Sequence, residues 1–144
     1  MSVCDIVIAS DNAQFGLSEV RLGLVPSVIS PFVISRIGET KAREIFITGE
    51  RISAQQALDI NLLNYIAPLD KIDNIVDEKV NSILNNGPNA VKAAKELIIN
   101  VTRMSTEEFQ HYTAGLIADL RLSEEGQEGM NAFLEKREPN WVKE

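Results

Sequence analysis

The stretch VCDIVIAS, Val3 to Ser10, opens a chain in which nearly everything else is patterned as helix, and that imbalance restricts the fold more than any other feature. Rich in Val and Ile and only imperfectly alternating, it reads as a strand of a largely buried sheet. A lone strand cannot pair its own edges or bury both of its faces. Only two further extended pieces offer themselves, NAQFG at Asn12 to Gly16 and the brief LLNYIAP at Leu62 to Pro68, the latter ended by its proline. The chain is therefore expected to lean on another subunit, or to be the back half of a larger domain.

Helix signals fill the rest. SPFVISRIG places Ser30 as N-cap, Pro31 at the first helical position and Gly38 just past the end. ETKAREIFITG sets Ala42, Ile45 and Phe46 on one face and closes with Gly49, and SAQQALDIN begins with the capping-box pair Ser53 and Gln56 and ends at Asn61, a residue suited to a left-handed turn. RLGLVPS, with Gly23 and Pro26, reads as loop. The composition changes at Leu69. Ile72, Ile75, Val76, Lys79, Val80, Ile83 and Leu84 follow the helical period until Gly87-Pro88 stops it. Three more helices are predicted, through Ala90 to Val101, after the capping box of Ser105 and Glu108, and after Ser123. Two regions result, 1–68 and 69–144.

With 144 residues, 44% apolar and 24% charged, the chain has the usual size of one globular domain. Apolar runs such as IVIA fall far short of the roughly 20 residues that cross a bilayer. MSVCDIV lacks a basic leader and carries Asp5 inside its apolar run, so no membrane partner is expected and the cytoplasm is the default location. One cysteine, Cys4, excludes an internal disulfide, and beside one histidine, His111, it makes no metal-binding cluster. Cys4 is read as a small buried hydrophobe in a strand, and His111 as structural or solvent-facing. The formal net charge of -7 argues against a nucleic-acid backbone as partner.

The passage AQFGLSEVRLGLVPSVISP poses the functional question, because it holds a single carboxylate, Glu19, among apolar residues. A carboxylate taken out of water needs a partner or a task. Pairing with Arg21 or a solvated turn would supply the former; a catalytic acid held in a pocket would be the latter.

A wider pattern surrounds that glutamate. CDIVIASDNAQFGLSEVRLGLVP, IGETKAREIFITGERISAQQALDINLLNYIAP and EGQEGMNAFLEKREPNW together resemble the crotonase superfamily, the enoyl-CoA hydratase/isomerase proteins, nearly from Cys4 to Trp141. The ordered blocks are Asp5, Phe15-Gly16, Glu19, Gly23, Pro26, Gly38, Thr48-Gly49, Ala54, Ala57, Glu128-Gly129, Phe133 and Lys136-Arg137. VRLGLVPSVISPFVISRIGE looks most like the branch that holds methylglutaconyl-CoA hydratases of leucine breakdown.

The resemblance implies an α/β crotonase-like fold, with residues 1–68 as the C-terminal part of a ββα spiral and 69–144 as a helical oligomerisation region, assembling as a homotrimer or hexamer. It implies reversible hydration of a 2-enoyl-CoA, an acyl-CoA thioester substrate, and no metal or redox cofactor, CoA entering with the substrate. Glu19 takes the place of the family's second catalytic glutamate, near the α-carbon of the thioester. Leu24, Val25 and Pro26 would line the acyl pocket, or merely pack there. Phe133 and Lys136 fall where the C-terminal helix of a neighbouring subunit approaches the CoA nucleotide; otherwise Phe133 is helix core and Lys136 a solvated end charge.

Two departures accompany the match. SVISP, Ser27 to Pro31, stands where many hydratases have glycines, which implies a different acyl specificity. The chain also begins where the family pattern is already half over, past the glycine-rich segment that supplies an oxyanion donor and past the first catalytic glutamate. A non-catalytic oligomerisation module is the competing class, and isomerisation or thioester hydrolysis on the same fold is a third reading, since fold does not settle chemistry.

Overall fold

In the computed structural model, which describes residues 1–142, the Val3–Ser10 stretch is strand only over Ile8–Ser10 (β1). Of the residues before it, Val7 still accepts backbone bonds from the Asn64 and Tyr65 amides, at 2.9 and 3.2 Å, and the segment is held further by a side chain. Arg36 donates through Nη1 to the Cys4 carbonyl at 2.7 Å, through Nη2 to Asn64 Oδ1 at 2.7 Å and through Nε to the Leu62 carbonyl at 2.8 Å. Cys4 consequently lies exposed and outside any strand, contrary to its reading as a buried hydrophobe.

Nor is β1 alone. It pairs in parallel with Tyr65–Ala67 (β4), Ile8 opposite Tyr65, while Gln14–Gly16 (β2) pairs antiparallel with Arg51–Ser53 (β3), Phe15 opposite Ile52. β3 escapes a sequence reading because it is three residues long and carries two polar ones; pairing, not propensity, makes it a strand.

Between these strands run two helices. Ser30–Thr48 (α1) contains Gly38 at φ 76°, ψ 161°, a conformation essentially confined to glycine, so the helix is interrupted there and α1 is two helical segments meeting at a kink, as the glycine stop leads one to expect. Ser30 lies inside it rather than capping it, and its hydroxyl donates to the Ser27 carbonyl at 2.9 Å. Ala54–Asp59 (α2) starts with the expected reciprocal bonds of Ser53 and Gln56, and Asn61 follows at φ 64°. Val33, Ile37, Ala42, Ile45, Leu62 and Leu63 form the buried core with Ala54 and Ala57, both fully buried. Alanine is required there because α2 packs on β2, β3 and β4, and a larger side chain would force those elements apart.

The residues divide into two compact units, Met1–Asp77 and Glu78–Glu144. Beyond β4 the chain continues as Ile72–Leu84 (α3), Pro88–Val101 (α4), Thr106–Leu122 (α5) and Glu124–Glu135 (α6). The expected capping box of Ser105 and Glu108 starts α5, and its hydrogen bonds hold the Glu108 carboxyl below its ordinary range. Ser123 accepts from the Gly126 amide at 3.0 Å to start α6. The start of α4 is capped from a distance: Glu125 accepts from the amides of Asn89 at 3.0 Å and Ala90 at 2.8 Å and from Asn89 Nδ2 at 2.9 Å. Gly87 leaves the room this needs, since a Cβ there would collide with the Glu125 carboxylate. His111 lies on α5 facing solvent.

After α6 the chain turns back on itself. Arg137 grips Glu128 with both terminal nitrogens, at 2.6 and 2.9 Å, and the Asn140 amide donates to the same carboxylate at 2.9 Å. Trp141 donates to the Asn85 carbonyl at 3.3 Å, and its ring lies so near Gly129 that a Cβ there would stand 3.0 Å from Cη2. Bonds from Arg137 and then Asn140 hold the Glu128 carboxyl at about 2, against the opposing effect of burial, and the same pairing, with Glu135, pushes the Arg137 guanidinium up. A depressed carboxyl stabilises the fold above its unfolded value of about 4.3 and ceases to do so as pH falls from there through its folded value. Between about pH 4.3 and 2, the emission of Trp141, the single tryptophan, should therefore shift as the clasp opens. In Glu128→Gln the emission should already be shifted at neutral pH; an unchanged spectrum there would show that the clasp does not hold Trp141.

Candidate active site

Glu19 opens the short 3-10 turn Glu19–Leu22, with no side-chain cap from Ser18 before it. The turn closes on itself through the Arg21 amide to the Ser18 carbonyl at 3.0 Å, the Gly23 amide to Val20 at 3.1 Å and the Leu24 amide to Glu19 at 3.0 Å. This backbone holds the side chain half-buried, and its Oε2 is shut off from solvent with no hydrogen-bond partner. Neither a solvated turn nor a pairing with Arg21 accounts for that oxygen. Leaving a buried acceptor unmade costs about 1 to 3 kcal/mol, more for a charged group, so an orphaned carboxylate oxygen calls for a task.

The residues expected to line an acyl pocket lie differently from one another. Leu24 and Val25 are exposed, 61% and 70%, whereas Pro26 is buried and its carbonyl accepts from the Ser30 amide at 3.0 Å, leading the loop into α1. The apolar cleft of the first unit, about 310 Å³, is lined instead by Phe15, Leu17, Ile29, Val33, Ile37 and Ile45 among others. Of these only Ile45 stands on an apolar face in the sequence pattern, and nothing local in the sequence distinguishes a core position from the wall of an open cleft.

In the second unit, Phe133 is 83% exposed on α6, so within the chain it is not helix core. Lys136 ends α6 in the left-handed conformation, φ 55°, its side chain exposed. That turn reverses the chain and brings Arg137 back to Glu128, nine residues earlier, a contact no helical period announces. Among the described residues, no three His, Cys, Asp or Glu side chains gather as a metal would require, and no helix is long and apolar enough to cross a membrane.

Comparison with known proteins agrees with this geometry. The family profile described as enoyl-CoA hydratase/isomerase matches residues 1–144. A short-chain-enoyl-CoA hydratase of Clostridium acetobutylicum is 33% identical over 135 residues, which cover 93% of this chain and 52% of the relative. Among solved structures, an enoyl-CoA hydratase from Shewanella pealeana is 40% identical with a TM-score of 0.90, covering 97% of this chain and 52% of that one. Pseudomonas aeruginosa AtuE is 34% identical with a TM-score of 0.94, covering 99% and 55%. The chain spans about half the length of the curated relatives it matches. With a family profile matched from Met1 to Glu144 and solved relatives superposing on its backbone, the chain belongs to the enoyl-CoA hydratase/isomerase family and has its crotonase-like α/β fold.

Proposed function

We propose that the chain takes part in the reversible hydration of a 2-enoyl-CoA, with Glu19 transferring the proton at the thioester α-carbon. The buried, unpartnered Glu19 Oε2 carries this reading. Adding water across a double bond conjugated to a thioester needs a base for the water and an acid for the carbon. It also needs hydrogen-bond donors for the charge that develops on the thioester oxygen. Glu19 serves the carbon; on this reading the second carboxyl group and the donors belong to the half of the family site that the match does not cover, since the chain spans about half the length of its curated relatives. CoA enters as part of the substrate, and no metal or redox cofactor takes part.

The finer features follow the resemblance. The substrate is a branched enoyl thioester of the methylglutaconyl type from leucine breakdown, handled in the cytoplasm, with Leu24, Val25 and Pro26 beside its acyl group. Residues from 69 onward assemble the chain as a homotrimer or pair of trimers, and Lys136 of a neighbouring copy offers its ammonium to the CoA phosphates beside Phe133. A purely structural assembly module is the second reading, favoured by the exposed apolar side chains of α5 and α6.

The test joins this chain to the preceding half of a family relative and follows loss of enoyl-thioester absorbance with crotonyl-CoA and 3-methylglutaconyl-CoA. Turnover, faster with the second substrate, is the expected result. No turnover from a folded fusion that still binds CoA would favour the assembly module. In that enzyme Lys136→Ala should raise KM about tenfold with kcat unchanged, as for one lost charged hydrogen bond remote from the chemistry. A fall in kcat alone would contradict its role.

A further inference from the structure

The turn that carries Glu19 rests on the end of α1. Gly49, the left-handed residue that terminates α1 at φ 59°, ψ 20°, has its amide bonded to the Ile45 carbonyl at 3.0 Å. A Cβ at Gly49 would stand 2.8 Å from Val20 Cγ2, 3.5 Å from Arg21 Cγ and 3.6 Å from Arg21 Nε. The residues that follow close over β2 in the same way. A Cβ on Gly16 would meet the Glu50 carbonyl at 3.2 Å and Arg51 Cγ at 3.3 Å. One turn, Gly49 to Arg51, is thus pressed against the polypeptide on both sides of Glu19.

We propose that Gly49 is a positioning residue for Glu19, acting through Val20. The proposal rests on the catalytic reading of Glu19 for its functional meaning, though not for its geometry. Two constraints coincide at Gly49. The positive φ disfavours any side chain, and the bare Cα provides the seat for the Val20 methyl. Val20 is β-branched and stiff about its first side-chain torsion, so it cannot swing away from an added Cβ. The displacement must pass into the turn, whose backbone is also the backbone of Glu19. The heavy atoms nearest a Cβ at Gly49 belong to Val20 and Arg21, so its effect passes through the turn and fixes where the orphaned oxygen lies.

The test uses the 144-residue chain, ¹³C-labelled at glutamate carboxyl carbons, with Gly49→Ala, Val20→Ala and the double variant compared by NMR. No turnover is needed. In Gly49→Ala the Glu19 carboxyl resonance should move, and exchange of the Leu24 amide, which closes the turn onto the Glu19 carbonyl, should quicken about tenfold as local stability falls. Val20→Ala empties the seat and should also quicken that exchange. In the double variant the methyl added at position 49 occupies the vacated space. Both signals should then return toward wild type while the Tm loss from the left-handed alanine persists, a coupling that only contacting residues show. Additive effects in the double variant would overturn the proposal, as would a Gly49→Ala chain that melts earlier with Glu19 and Leu24 unmoved. Should Gly49→Ala fail to fold, unchanged Leu24 exchange in Val20→Ala alone would overturn it. Full activity of Glu19→Gln in the fused enzyme would remove the catalytic reading and leave these outcomes as they stand.

Discussion

In the fused enzyme, Glu19→Gln should lower kcat by about 10² to 10⁴, the range associated with losing a positioned proton-transfer group, while CoA-thioester binding stays within a few-fold of wild type. Glutamine keeps the size and the acceptor oxygen of glutamate and gives up the carboxyl group that would transfer the proton. The fall should therefore appear in kcat and in kcat/KM alike, as for an interaction made in the transition state. Stability separates this from a folding defect. Glu19 Oε2 is buried without a partner, so replacing the carboxylate with a neutral amide removes a desolvation cost, and Tm should hold or rise. A stabilised, inactive variant is the signature of a site whose strain serves function. A variant within a few-fold of wild type in kcat would return Glu19 to a structural role.

The second large effect concerns assembly. Phe133 and Leu134 on α6 are 83% and 76% exposed, and Leu122 at the end of α5 is 80% exposed, an apolar display that in soluble proteins marks a contact surface. A second copy is the proposed occupant. Aromatic side chains dominate the energetics of such contacts, with truncation costing about 2 kcal/mol or more, so Phe133→Ala should weaken self-association of the chain about 30-fold. Sedimentation velocity over a micromolar concentration series measures this. Circular dichroism should not change, because an 83% exposed side chain supports little within its own chain. A wild-type chain that stays monomeric throughout would end the assembly reading, and an unchanged assembly in the variant would put Phe133 outside the contact.

What was legible in the sequence was local chemistry. The boxes at Ser53 with Gln56 and Ser105 with Glu108, the cap at Ser123, and the left-handed stops at Gly49 and Asn61 each depend on residues within a few positions of one another. Glu19 announced itself as a carboxylate out of place, though its orphaned oxygen is a property of packing. The pairing of the strands was illegible for the opposite reason, although β1, β2 and β4 fall inside stretches that read as extended. Each spans three residues, and β1 finds β4 across the whole first unit, Ile8 against Tyr65, so no nearby pattern encodes the pairing. Val20 against Gly49 and Arg137 against Glu128 are likewise contacts between distant or reversed segments. Arg51 in β3 and Cys4 ahead of β1 show how side-chain type misleads once tertiary pairing decides.

The capping of α4 by Glu125 has a consequence in time. The amide of Ala90 finds its acceptor 35 residues later in the chain, so on a ribosome adding about 5 to 20 residues per second, α4 waits roughly 2 to 7 seconds for its cap to be made. During that interval the Asn89 and Ala90 amides lack their Glu125 acceptor, and the moment at which the helix is completed is set by the synthesis of α6.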